Sequence, residues 1–163
     1  MKGEQFTEVL RELPLLVTVV TVGRGGVENG LTVSWIAPAS FEPPQLMFAV
    51  DKLHYSVELL RSTKNFAVNV LGEGQQKIAG HFARQAMAGE DKLGAVSTRS
   101  GTTGAAIFAD AVAWFDCELA AVHEAGDHLI VVGTVVDAGV QGNGAVLTTA
   151  AVGMQYRKFR STS

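Results

Sequence analysis

Short runs rich in Val, Leu, Ile and Thr, punctuated by glycine, recur along the chain and read as strands broken by turns. In the run 15–22, Thr18, Val20 and Val22 alternate with Val17, Val19 and Thr21, which predicts a first strand mostly buried on both faces. Residues 24–30 then supply a turn, and 31–36 and 46–50 are the next strands. Pro38, Pro43 and Pro44 lie between them, remove ladder donors and predict an extended connection. Val57, Leu59 and Leu60 beside Glu58 and Arg61 predict a short helix over 55–61, after which 66–71 returns to strand character. Ile78, Ala79 and Phe82 fall at helical spacing in 75–84 and predict a second short helix, with Gln76, Lys77 and Arg84 in solvent.

Periodicity disappears between residues 85 and 104, and irregular excursions of that length in compact domains tend to carry function. Beyond it, 112–123 and 128–140 are two long strand-like runs separated by Glu124, Ala125, Gly126 and Asp127, and they are predicted to pair as an antiparallel hairpin. In the first run Ala113, Phe115, Cys117 and Leu119 form one face, while Asp116 and Glu118 share the other with Val112 and Trp114. Trp114 and Val112 on that otherwise polar face call for cover, and a second copy of the chain is expected to provide it. A final short strand is expected around 145–149. About six strands, two short helices and no regular βαβ alternation favour a mainly β fold, a barrel, over a doubly wound sheet. No fixed-period repeat, low-complexity tract or polar linker divides the chain, so 1–163 reads as a single domain.

Composition sharpens this picture in three places. Hydrophobic residues at 47% against 18% charged describe a globular chain with a sizeable core and a surface that another subunit partly covers. A net charge of −3 argues against a nucleic-acid partner, which would need clustered Lys and Arg. The single cysteine, Cys117, excludes an intramolecular disulfide, suits a reducing compartment and lies in an apolar run where a thiol behaves as a small hydrophobe. The apolar stretch 13–22 is too short to span a bilayer, follows Glu4, Glu8 and Glu12, and lacks an Ala-x-Ala exit, so no membrane association and a cytoplasmic location are expected.

Several chemistries have no support in the residues. No glycine pair is followed by a third glycine at dinucleotide-fingerprint spacing, and no Walker lysine motif occurs. His54, His81, His123 and His128 stand without a His-Glu-x-x-His motif or cysteine cluster, so no metal is expected. No serine sits in a Gly-x-Ser-x-Gly setting, which leaves hydrolysis unsupported.

One set of segments does carry a signal. Asn29-Gly30-Leu31-Thr32-Val33-Ser34-Trp35 is followed by Ser40-Phe41-Glu42-Pro43-Pro44, Asp51-Lys52-Leu53-His54-Tyr55-Ser56 and Asn65-Phe66-Ala67-Val68-Asn69-Val70-Leu71. Then come His81-Phe82, Asp91-Lys92-Leu93, Gly126-Asp127-His128 and Gly153-Met154-Gln155-Tyr156. In this order and spacing, from about 13 to 156, the chain resembles the flavin reductase-like family. The resemblance implies an FMN-binding split β-barrel with a few short helices, a homodimer with flavin near the subunit interface, and FMN as cofactor, or FAD as in some members. It further implies reduction by NADH or NADPH through hydride transfer from nicotinamide C4 to flavin N5, with reduced flavin passed to a partner monooxygenase. A flavoredoxin-like FMN electron carrier, exchanging electrons with a redox protein, is the alternative reading. A flavin-binding module with another substrate, such as a metal chelate, is a third.

By the same resemblance, Asn29, Trp35, Ser56, Lys92, His128 and Tyr156 match positions that line the flavin. Ser56 stands where several relatives carry Thr and keeps the hydroxyl. The residues themselves agree with such a ligand, which needs main-chain groups along its polar ring edge and hydroxyls and a cation at its phosphate. Thr32, Val33, Ser34 and Trp35 supply the ring contacts, with Trp35 as an aromatic wall. Lys52, His54, Ser56 and Lys92 form the polar set for the phosphate or ribityl chain, and Ser40 joins the cofactor candidates. Each also has a plainer reading: Asn29-Gly30 as a hairpin turn, Trp35 as core, Lys52, His54 and Lys92 as solvated loop residues. His128, the one catalytic candidate, either positions nicotinamide or pairs structurally with Asp127, while His81 and His123 read as structural.

Overall fold

The computed structural model describes residues 3–87 and 89–153. Nine strands and four short helices are present among them: α1 (Gly3–Leu10), β1 (Thr18–Arg24), β2 (Val27–Val33), β3 (Ile36–Phe41), β4 (Pro44–Asp51), α2 (Ser56–Thr63) and β5 (Asn65–Val70). The chain continues through α3 (Gln76–Ala83), β6 (Thr98–Ser100), β7 (Ala106–Phe108), β8 (Ala113–Ala125), β9 (His128–Val140) and α4 (Thr149–Val152).

Seven strands form one antiparallel sheet in the order β2-β1-β5-β8-β9-β4-β3, and β6 and β7 make a separate ribbon. The large sheet curls on itself. Leu31 and Val33 of β2 and Leu46, Phe48 and Val50 of β4 enter one core with Val20, Val22, Phe66, Val68, Cys117, Leu129 and Val131. The two ends of the sheet thus meet through side chains rather than through a hydrogen-bonded ladder, which is a split β-barrel. Bulges at Asp116/Cys117 and Leu119/Ala121 bend the long β8–β9 hairpin around this core, and Gly126 at φ +63° makes its turn. Val17 and Val19 face the other way, into a second core with Leu71, Phe82, Phe108 and Leu147. The continuous apolar pattern of the first strand is the mark of a strand buried on both faces.

The structure corrects several expectations. Asn29-Gly30 is not a turn: the chain reverses at Gly25-Gly26, and Asn29 and Gly30 lie inside β2, opposite Val22 and Thr21. The proline-bearing connection is the edge strand β3, where Pro38 sits beside an irregularity in the pairing with β4, while Pro43 lies in the following turn and Pro44 opens β4. The excursion after α3 contains β6, which pairs with β7 just beyond it in a ribbon too short to leave a periodic signal. Residues 145–149 make isolated bridges, Gly72 with Val146 and Leu16 with Thr148, before α4. Trp114 is buried within the chain itself, against Ala67, Ala105 and Ile107, with the Arg99 guanidinium 4.6 Å from its ring. His81 is half-buried and structural, its Nε2–H donating to the Lys92 carbonyl at 2.9 Å.

Candidate functional site

β2 is the terminal strand of the sheet, so the outward N–H and C=O groups of its backbone have no neighbouring strand. This edge floors a groove of about 1170 Å³, somewhat larger than the usual small-molecule site. Leu31, Thr32, Val33, Ser34 and Trp35 run along it, the C-terminal end of α3 from Phe82 to Gln85 forms one wall, and Phe6, Thr7, Leu10 and Arg11 at α1 form another. Thr32 Oγ1 donates to the Ala79 carbonyl at 2.7 Å and ties the strand edge to α3.

At the far end the β4–β9 ladder sets Asp51 opposite His128. His128 packs against Trp35 in a tilted ring contact, centroids 4.9 Å apart, and its Nδ1–H donates to Asp127 Oδ1 at 2.7 Å. The chain leaving β4 turns sharply because Asp51 Oδ1 accepts from the Leu53 N–H at 2.8 Å and Asp51 O accepts from the His54 N–H at 3.0 Å. That turn delivers His54 to the groove. The Ser56 N–H donates to His54 Nδ1 at 3.1 Å, and Asn29 Nδ2 donates to Ser56 Oγ at 2.7 Å. Burial, and then the Lys92 cation, push the His54 pKa down to about 4 against the pull of Asp51. At neutral pH the ring is therefore uncharged, and with Nδ1 accepting, its proton sits on Nε2.

Of the residues singled out in the sequence, Thr32, Val33, Ser34, Trp35, His54 and His128 line this groove. Asn29 and Ser56 stand buried behind His54 as its supporting shell. Lys92 is not a solvated loop residue. Only 3% exposed, it lies beneath the groove and its Nζ donates to the carbonyls of Arg84 (2.6 Å), Phe82 (3.3 Å) and Gly30 (3.4 Å). Burial, and then the nearby Arg84, lower its pKa to about 8. Lys52 pairs instead with Glu124 at 3.0 Å on the surface, and Ser40 lies on β3 outside the lining. Tyr156 lies outside the described residues. The residues missed are those of α1 and Arg84. Phe6, Val9, Leu10 and Leu13 do carry helical spacing, a legible signal for an amphipathic helix, whereas nothing local marks Arg84 as a groove residue.

An open strand edge, a tryptophan wall, an apolar floor and neighbouring hydroxyls suit a flat heteroaromatic ligand with one polar edge. Residues 10–161 match the family described as the Flavin reductase like domain. The chain belongs to this family. Among flavin reductase-like relatives, it is 37% identical over 136 residues to the NADH-dependent FAD reductase of Streptomyces globisporus, covering 82% of this chain and 74% of that one. It is 36% identical over 141 residues to the reductase subunit of stachydrine N-demethylase of Rhizobium meliloti, covering 83% and 60%. A solved structure of a Streptomyces globisporus NADH:FAD oxidoreductase in complex with NAD and FAD fragments superposes with a TM-score of 0.84 at 32% identity, covering 98% of this chain and 94% of that one. Against several curated relatives the chain spans less than two thirds of their length, from 21% to 60%. The split barrel with a groove along β2 is thus a flavin reductase-like fold. No helix among the described residues is long and apolar enough to cross a membrane.

Proposed function

We propose that this protein is an NAD(P)H:flavin oxidoreductase that holds FMN, or FAD, along the β2 edge and supplies reduced flavin to a partner monooxygenase. The observation that carries this reading is the open edge of β2 flooring a groove that ends at the ring pair Trp35 and His128. Relatives named as an NADH-dependent FAD reductase and as a monooxygenase reductase subunit support the activity and the kind of partner. A bound flavin supplies the acceptor for hydride from nicotinamide C4, so little acid–base work is left to the protein.

The protein's own share is orientation and exclusion of water. Backbone groups from Leu31 to Trp35 hold the polar ring edge, Thr32 and Ser34 add hydroxyls, and the uncharged His54, fixed by Ser56 and Asn29, offers an Nε2–H donor. His128, clamped by Asp127, positions the nicotinamide over the open end. A homodimer is part of the same proposal, as is a cytoplasmic setting, which the single buried free thiol suits.

Anaerobic stopped-flow tests the reading directly. Flavin-loaded protein should lose its oxidised-flavin absorbance on mixing with NADH or NADPH, and His128→Ala should slow this step while retaining flavin. With no Rossmann loop, coenzyme binding should be weak and saturation should need high concentrations. If neither coenzyme bleaches the flavin while a reduced protein donor does, the reductase reading fails and an electron carrier takes its place.

A further inference from the structure

Arg11 and Arg84 are the Arg or Lys side chains among the described residues lining the groove, and Arg84 is held in an unusual way. Its guanidinium grips Glu90 as a fork, Nη1 donating to Oε2 at 2.8 Å and Nη2 to Oε1. Nη2 also points a longer contact, 3.4 Å, at His81 Nδ1. From beneath, the Lys92 ammonium bonds the Arg84 carbonyl and fixes the backbone from which the guanidinium reaches the Glu90 carboxylate. Two parallel N–H bonds to one oxyanion edge are also how a guanidinium holds a phosphate. In this structure the Glu90 carboxylate occupies that fork.

Resting on the flavin-nucleotide reading above, we propose that Arg84 is the phosphate anchor of the groove, and that Glu90 fills its fork until a nucleotide phosphate displaces it. The displacement involves no covalent step. The exchange is favourable on magnitudes: an exposed ion pair shifts an equilibrium by no more than about fivefold, whereas a charge-assisted fork on phosphate contributes roughly ten- to a hundredfold. Glu90 stays ionised throughout the accessible pH range, its pKa held down to about 2 by the bonds from Arg84 and then from the Met87 N–H. The phosphate belongs either to the flavin nucleotide or to the nicotinamide coenzyme, and the two sources separate in one experiment.

Dissociation constants are measured by fluorescence titration for FMN against riboflavin and for ADP-ribose against adenosine, with wild type, Arg84→Ala and Glu90→Gln. Arg84→Ala should weaken a phosphate-bearing ligand roughly ten- to a hundredfold and leave its phosphate-free counterpart unchanged. Glu90→Gln should tighten the same ligand about two- to fivefold, a gain that a folding defect would not produce. An effect on FMN alone assigns the flavin phosphate, and an effect on ADP-ribose alone assigns the coenzyme. Equal shifts for ligands with and without phosphate, or no shift in either pair, would make Arg84 and Glu90 a mere loop staple and overturn the proposal. Wild type that binds neither FMN nor riboflavin, yet keeps the Arg84-dependent ADP-ribose site, would instead sink the flavin reading and leave the anchor standing.

Discussion

His54 shows how a single side chain is set by its neighbours. Buried beside Lys92 and accepting from the Ser56 N–H, it resists protonation down to about pH 4, whereas an unfolded histidine takes up its proton near 6.5. Between those values the unfolded chain binds more protons than the folded one. Stability present above pH 6.5 is therefore lost as pH falls towards 4. At pH 5 the cost from this residue amounts to about 2 kcal/mol relative to pH 7. Urea denaturation at the two pH values should record that loss in wild type, and His54→Asn, whose side-chain oxygen still accepts from Ser56, should largely remove it. An equal acid loss in both proteins would place the titration elsewhere. Cys117, by contrast, is chemically quiet, since burial and then Asp116 raise its thiol pKa to about 12.

Between elements, the closest approach that shapes the groove is α3 on β2. Gly30 allows it, because a Cβ at that position would lie 2.6 Å from the Phe82 ring. Phe82 is a fully buried side chain of the second core and has no room to retreat. Gly30→Ala should push α3 off the strand edge, lower stability by about 1–3 kcal/mol and weaken flavin binding together with it. Calorimetry and a flavin titration on the same variant check both. If affinity is unchanged while the melting temperature falls, the register of α3 against β2 does not set the site. The bonds from Lys92 to Gly30, Phe82 and Arg84 brace the same junction, so a lysine that local sequence marks as solvated holds the helix end to the strand. Its three donors answer three carbonyls, which is why it is buried without an acidic partner in contact.

For the whole molecule, the apolar surface that asks for a second copy is not where strand alternation suggests. The Trp114 face is already closed by Ala105, Ile107 and Arg99. Large apolar side chains are instead exposed at the β9-β4-β3 end of the sheet. Phe41 is 100% exposed, with Met47 on β4 and Val136 on β9 also in solvent. The register brings these strands to the same level, Phe41 opposite Pro44 and the adjoining Gln45 opposite Thr134. Such a patch fits a self-complementary interface. Sedimentation at micromolar concentration should give a dimer for wild type and a larger monomer fraction for Phe41→Ser, and a wild-type monomer would refute the assembly.

Much of this protein was written locally. The doubly buried first strand, the two short helices around Val57–Leu60 and Ile78–Phe82, and the long C-terminal hairpin each carry their own periodicity. Motif order alone pointed to the family that residues 10–161 match. What local sequence does not encode is contact between distant residues. Asn29-Gly30 has the composition of a turn, yet it pairs across β1 because Gly25-Gly26 turns the chain first. Asn29 reaches Ser56 only because the sheet curls, and Lys92 is solvated or buried according to whether carbonyls from β2 and α3 converge on it. Periodicity reports which face of an element is apolar, so it determines strands, helices and their order. Which polar groups meet across elements depends on barrel closure and on the seating of α3, and so the groove, its braced lysine and its forked arginine were decided by the tertiary structure.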